Sequence, residues 1–327
     1  MVNIDDLEMK LREAINKTEK ELNNKNNLGW EKQYRDYAEK MLINQDEKSE
    51  LRKKFHECEP FKYYLTVGKA MSGRKNLELS VRYSGQEIAN MYINERDIKI
   101  DTTKYDEKNK RDFECDISLN KANWNSNEAK LFREYFRVNK PIRIDGKRKN
   151  EEHRIESALL TEFSKKSSND KLLCGIQPIT FAGVRLPMPT AISASDIIKF
   201  GGGHIDILAR TTGKKITVIE LKDENIDKEP IEKVLTQATA YAIFILNLLR
   251  SDYGKQWYEI FGFKGDIPKT LVIRVCSAMP VKKDGMYDKF DSFEIKYKND
   301  ILEYHWLYFE EQNKEIKRIN TSINKSK

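Results

Sequence analysis

The segment Val218–Glu224, VIELKDE, begins like an apolar strand and then sets Glu220 and Lys222 two positions apart. Alternate residues of a strand leave on the same face. A carboxylate and an ammonium would therefore emerge together from an otherwise buried element. Upstream lies HIDILAR, His204–Arg210, and between the two runs Gly213 sits at the centre of TTGKK. A hairpin about that glycine is the simplest arrangement. Asp206 stands seven residues before Gly213 and Glu220 seven after it. On this register the two carboxylates are cross-strand neighbours on one face, with His204 and Lys222 as the next pair. Opposed carboxylates repel, and in a partly buried place one protonates unless a cation intervenes. Mg²⁺ or Mn²⁺ resolves the conflict, because such an ion is held by one or two carboxylates with water and phosphate oxygens completing its shell. Lys222 beside it could polarise a water and offset charge developing on phosphate. The chemistry would be hydrolysis of a phosphodiester. A charged hairpin is ordinarily a half-solvated ribbon; the paired Asp206, the apolar strands and the helix that follows set this one apart.

The surrounding elements must hold these residues. EHRIESALLTEFSK carries Ile155, Ala158, Leu159 and Phe163 at helical spacing, and LLCGIQPITFAG reads as a strand. After VIELKDE, a helix is expected from Pro230 through TQATAYAIFILNLL, proline suiting a first turn. KTLVIRVCSAMP is a further apolar strand, and FEIKYKNDILEYHWLYFE predicts a hairpin turning at Asn299–Asp300. The tail from Glu311 is polar and expected to fray. Helix, three strands, helix, strand is the order of an α/β core with a mixed sheet. Ahead of it, helices are expected over 4–23 and 30–56, period-two strands over 61–103 and a short helix over 127–136. The expected division is an N-terminal α+β accessory region at 1–138, a linker at 139–150 and the core domain at 151–327.

An acidic residue, a hairpin-sized gap and an E-x-K closing an apolar strand resemble the PD-(D/E)XK nuclease superfamily, the restriction-endonuclease-like fold. The resemblance covers about residues 151–280 and lies in the order and type of elements more than in a short motif. It implies that Asp206 and Glu220 bind Mg²⁺ or Mn²⁺ with the Leu221 carbonyl, and that Lys222 orients the attacking water. It implies that Glu156, on the preceding helix, assists a second metal or the water; Glu162 is an alternative. Gln237, four before Tyr241, matches a Gln-x-x-x-Tyr signature and would position the site or touch the substrate backbone. The family's usual proline before the aspartate is replaced by Ile205. DNA is the expected substrate, with RNA as a competing one. A homodimer is expected only if both strands are cut. A non-catalytic DNA-binding or assembly module on the same fold is the competing class.

Weaker candidates are His204, Asp223, Glu224 and Asp196. The triple glycine of FGGGH, Phe200–His204, reads as a flexible loop and not as a phosphate fingerprint, since no helix follows it. Trp124, Tyr83 and Arg82 could stack on or grip nucleic acid, although such residues in a small sheet are more often packing.

Composition narrows the field. The chain has 327 residues, with 59 Lys and Arg against 52 Asp and Glu, a net charge of +7 that allows a polyanionic partner without requiring one. Cys58, Cys115, Cys174 and Cys276 are isolated, which argues against structural zinc and a disulfide framework and suits a reducing cytoplasm. The charged N-terminus lacks the apolar core of a signal peptide. The run Ala240–Leu249 is too short to span a bilayer and reads as a core helix.

Overall fold

The structure is a computed structural model and describes residues 3–46, 60–65, 77–93, 97–139, 151–165, 169, 171–181, 184–185, 189–195, 197–211, 215–223, 228–281 and 289–323. In chain order the elements are α1 (Ile4–Leu22), α2 (Gly29–Asp46), β1 (Lys62–Leu65), β2 (Leu77–Tyr83), β3 (Gln86–Ile93), β4 (Ile98–Asp101), α3 (Asp106–Phe113), β5 (Ala122–Asn123), α4 (Asn127–Asn139) and α5 (Glu151–Phe163). They continue as β6 (Ile176–Pro178), β7 (Thr180–Phe181), β8 (Val184–Arg185), β9 (Pro189–Ser193), β10 (Lys199–His204), β11 (Ile207–Thr211), β12 (Lys215–Leu221), α6 (Ile231–Arg250) and α7 (Gly254–Ile260). The chain ends with β13 (Val272–Pro280), β14 (Phe293–Tyr297), β15 (Asp300–Gln312) and β16 (Glu315–Thr321). This is the mixed α/β class that the sequence led us to expect.

The chain divides into two compact units, and the division falls inside α2 and α5. One holds Met1–Arg35, Ala158–Ile179 and Pro187–Lys327; the other holds Asp36–Ser157 and Thr180–Leu186. The expected break at 139–150 differs from this, and residues 140–150 lie outside the described residues. Residues 1–35 were assigned to the accessory region, yet they fold with the C-terminal unit. The reason is the stripe Leu7, Leu11, Ile15 and Leu22, which α1 buries there, with α6 as its main neighbour.

The second unit is built on an antiparallel sheet of order β1-β2-β3-β4-β5. Its core is aromatic: Phe61, Phe113, Phe132, Phe136 and Tyr83 meet at centroid separations of 4.8–5.9 Å. Sequence patterning missed α3, whose DEKNKRDF is polar except for Phe113. It is held from outside, by Asn109 Nδ2 donating to the Ile88 carbonyl and by buried Phe113. At the β2–β3 turn Gly85 has φ +81°, and a Cβ there would lie 2.5 Å from the carbonyl carbon of His153. Only glycine lets this turn lie against the first turn of α5.

The first unit carries a seven-stranded mixed sheet of order β14-β15-β13-β12-β11-β6, with β16 on β15. Strands β12, β13 and β15 run parallel, and the other pairs are antiparallel. Parallel neighbours need a crossover, which α6 and α7 supply between β12 and β13. The KITVIEL of β12 is β-branched and buried on both faces, as a central strand should be. α6 is apolar nearly all round because it is buried nearly all round. It opens at Pro230, with φ −60° and ψ 138°, and at its far end Arg250 is tied to Asp300 and to the Pro268 and Lys269 carbonyls. Among the described residues no single helix is long and apolar enough to cross a membrane.

Two expectations at the C-terminus change. The hairpin turns at Lys298–Asn299, since Tyr297 pairs with Asp300. The tail does not fray at Glu311: Asn313 and Lys314 take left-handed φ of 54° and 62°, and the chain returns as β16, burying Ile316 and Ile323.

Candidate functional site

The site begins with the β11–β12 hairpin. Ile207 pairs with Ile219, Leu208 with Val218 and Thr211 with Lys215, the register centred on position 213. Asp206 stands one residue before β11 and Glu220 one before the end of β12, so the ladder extrapolates to the expected pairing. Asp206 Oδ2 accepts a hydrogen bond of 2.8 Å from the Leu221 amide. That bond ties the carboxylate to the strand edge between Glu220 and Lys222. The N–H and C=O of one strand residue leave on the same edge. The Leu221 carbonyl therefore faces the Asp206 side, while the Lys222 amide turns the other way and bonds the Ala278 carbonyl at 3.0 Å.

Glu220 is 5% exposed. Its Oε1 accepts from Lys222 Nζ at 2.8 Å, so the two side chains share a face as the i, i+2 spacing requires. In the parallel ladder Glu220 is registered with Ser277, and Ser277 with Trp306, which places all three on that face. Among the described residues the buried Ser277 hydroxyl has no hydrogen-bond partner. Sequence reading did not single out Ser277, because its position depends on a parallel strand more than fifty residues away in the chain. A hydroxyl beside a buried carboxylate–ammonium pair is a polar environment in the middle of an apolar sheet, and such groups are expensive unless used or satisfied.

Other expected residues fall elsewhere. His204 does not pair with Lys222. It ends β10, pairs with Pro189 of β9 and is exposed, because the chain bends at Asp206 before β11 starts. The FGGGH run is strand β10, not a loop. A Cβ on Gly203 would lie 2.0 Å from the Ile192 carbonyl oxygen, so the close β9–β10 pairing needs glycine there. Glu156 is 2% exposed and lies in the second unit, where Oε1 accepts from Tyr64 Oη at 2.7 Å and Oε2 stands 3.3 Å from His153 Nδ1. Glu162 belongs to the first unit and is engaged by the Leu172 amide and by Lys165. Gln237 is 5% exposed and donates from Nε2 to the Ser195 carbonyl at 2.6 Å. Tyr241 is buried in α6, and Asp223 is half-buried just beyond β12. Asp196 and Glu224 lie outside the described residues.

In the second unit Trp124 and Tyr83 are buried in the packing. Arg133 covers the Trp124 ring at 4.1 Å, and Arg82 covers Tyr64 at 4.3 Å. These rings are spoken for by the core and are not presented for stacking.

Among the described residues no group of three or more His, Cys, Asp or Glu side chains is arranged to hold a metal. The oxygens that the hairpin register brings near one another are hard donors: Asp206, Glu220 and the edge carrying the Leu221 carbonyl. That set fits a Mg²⁺ or Mn²⁺ ion, which one or two carboxylates can hold while water and substrate oxygens supply the rest. It does not fit zinc, which favours nitrogen and sulfur in a closed shell.

The chain matches no protein-family model, no curated protein and no solved structure.

Proposed function

We propose that the chain is a metal-dependent nuclease of the PD-(D/E)XK type that hydrolyses phosphodiester bonds, with DNA as its substrate. The observation that carries this reading is the Asp206–Leu221 hydrogen bond at the end of a hairpin whose register brings Asp206 beside Glu220-Leu221-Lys222. The crossover that follows, β12 to α6 to β13, agrees with a restriction-endonuclease-like core. In this reading Asp206 and Glu220, with the Leu221 carbonyl, hold Mg²⁺ or Mn²⁺. The ion supplies Lewis acidity toward phosphate oxygens. Lys222 orients the attacking water and offsets charge on the phosphoryl group. Gln237 has a positioning role.

The test is cleavage of supercoiled plasmid and of single- and double-stranded DNA and RNA oligonucleotides with Mg²⁺, Mn²⁺ or EDTA. Lys222→Ala and Glu220→Ala run alongside. Each substitution should lower cleavage by about 10²–10³-fold, the usual loss when one transition-state-stabilising group goes. Activity that persists in both variants would sink the assignment. A second reading, a DNA-binding or assembly module without catalysis, is favoured by one observation: no third ligating side chain joins Asp206 and Glu220 among the described residues. It predicts DNA binding that is unchanged by EDTA and no cutting with either metal. A double-strand cut would call for a homodimer, which light scattering on the DNA complex would reveal.

A further inference from the structure

Ser277 is 1% exposed, and among the described residues its Oγ has no hydrogen-bond partner. A buried hydroxyl left unbonded is a cost that calls for a use. Its surroundings say which group it can serve. On its face of the first unit's sheet, Ser277 stands between Glu220 of β12 and Trp306 of β15 across the strands, and between Val275 and Met279 along β13. Val275 has no polar side-chain atom, and Met279 has only a weakly accepting sulfur. The Trp306 indole can only donate, and it is committed to the Phe290 carbonyl at 2.9 Å. α6 covers the same face two residues back, where Thr239 Oγ1 and Tyr304 Oη are 3.3 Å apart. Glu220 is thus the one strong acceptor among these four neighbours. Registered residues of adjacent strands stand about 4.8 Å apart. A change of staggered rotamer at the serine lets its hydroxyl reach a carboxylate across that gap.

Glu220 Oε1 accepts from Lys222 Nζ. The proposed nuclease reading gives Lys222 other work, since its ammonium must turn toward the attacking water and the phosphoryl oxygens. Glu220 then loses a charged donor while only 5% exposed, and a buried carboxylate short of donors shifts or protonates. We infer that Ser277 is a positioning residue, whose hydroxyl donates to the Glu220 carboxylate when Lys222 turns away. The exchange needs no backbone movement, because register already puts the three side chains on one face. A neutral hydroxyl fixes the direction of the carboxylate without cancelling its charge, which stays available to a cation. Groups that hold a ligating carboxylate in this way are worth about 10–100-fold in affinity or activity. That Lys222 leaves during turnover rests on the nuclease reading; that Ser277 can replace it as a donor to Glu220 does not.

The first experiment is a urea-unfolding cycle without metal or nucleic acid, at about pH 8, where a carboxylate is ionised. The proteins are wild type, Ser277→Ala, Lys222→Met and the double variant; methionine keeps an unbranched stem and removes the ammonium. With Lys222 present, Ser277→Ala should change the unfolding equilibrium constant by less than about fivefold, since the hydroxyl has no partner to lose. In the Lys222→Met background it should raise that constant by at least about tenfold, because the hydroxyl has become a donor to Glu220. Ser277→Thr keeps the hydroxyl, so its effect should be the same in both backgrounds. Equal effects of Ser277→Ala in the two backgrounds overturn the proposal. The second experiment needs no Lys222 variant. It measures plasmid cleavage with Mg²⁺ by wild type, Ser277→Ala and Ser277→Thr, each alongside its urea midpoint. Ser277→Ala should lose about tenfold in kcat with KM and midpoint unchanged, and Ser277→Thr should recover most of the loss. A merely structural role would move the midpoint and leave kcat per folded molecule alone. Cleavage by the wild type with kcat unchanged in Ser277→Ala overturns the proposal and leaves the nuclease reading. Coupling in urea with no cleavage by the wild type removes the nuclease reading and leaves the Ser277–Glu220 pairing.

Discussion

Glu220 and Glu303 are both nearly buried and stand on opposite faces of one sheet. Glu303 takes partners from two other strands and one from two places along its own. Lys215 of β12 and Arg274 of β13 both bond it, Arg274 at 3.0 Å, and His305 Nε2 stands 3.7 Å away. Arg274 is tied onward to Thr211. Glu220 takes an ammonium from Lys222, two places along the chain at the strand's end, and stands beside a serine whose hydroxyl has no partner among the described residues. The first arrangement is closed around its charge by long-range pairing. The second stands at a strand terminus, with its ammonium two residues away. Burial alone says little about what a carboxylate does; Glu303 adds cations from β12 and β13 to the partner on its own strand.

The comparison breaks if Glu303→Ala leaves the fold intact. Removing one member of a buried ion cluster strands the remaining charges, and a loss of about 3–5 kcal/mol is expected in urea unfolding. Cleavage per folded molecule should not change. Glu220→Gln should do the opposite. It should keep the unfolding free energy within about 1 kcal/mol of the original while cleavage falls by about 10²–10³-fold.

Acid sharpens the contrast. Burial by itself would raise the Glu303 carboxyl, but His305, Lys215 and Arg274 together outweigh it and hold the group down at about 2, against an ordinary 4.5. A depressed carboxylate contributes its stability above the unfolded value and loses it as pH falls through the folded one. The contribution should be complete above about pH 5 and fade between 4.5 and 2, with about 3 kcal/mol at stake. Urea melts at pH 7, 4 and 3 should show this fall, and Glu303→Gln should flatten it. A wild-type curve with no fall would mean that the cluster contributes nothing. The smallest effect belongs to Ser277→Ala. Deleting a buried hydroxyl that has no partner should shift stability by less than about 1 kcal/mol, in either direction. A loss above 2 kcal/mol would show that the hydroxyl is bonded after all.

Much of the hairpin was legible in sequence, because a two-residue period and a central glycine fix both register and face. Asp206 could be placed beside Glu220 by counting. The same counting failed one step further, at His204, because strand pairing ends where the backbone bends and the composition of GGGHID does not announce a bend. Ser277 and the Glu303 cluster were not legible at all. Parallel register depends on how a crossover of some fifty residues packs, and no local pattern carries that information. The tail was misread because a polar strand of alternating Ile and charge looks like a solvated end until its partner is known. α1 was readable as a helix but not as a member of the C-terminal unit, since an amphipathic stripe says that something covers it and not what.

That last feature has a kinetic consequence. Translation adds about 5–20 residues per second, and α6 follows α1 by about 200 residues. For roughly 10–40 s, then, Leu7, Leu11, Ile15 and Leu22 leave the ribosome with no native surface to bury them. The unit that contains them cannot close until β13, β15 and β16 have been made. Its folding is thus of high contact order and falls at the slow end for its size. In that interval α1 is where a chaperone would take hold of the nascent chain, and where aggregation would start without one.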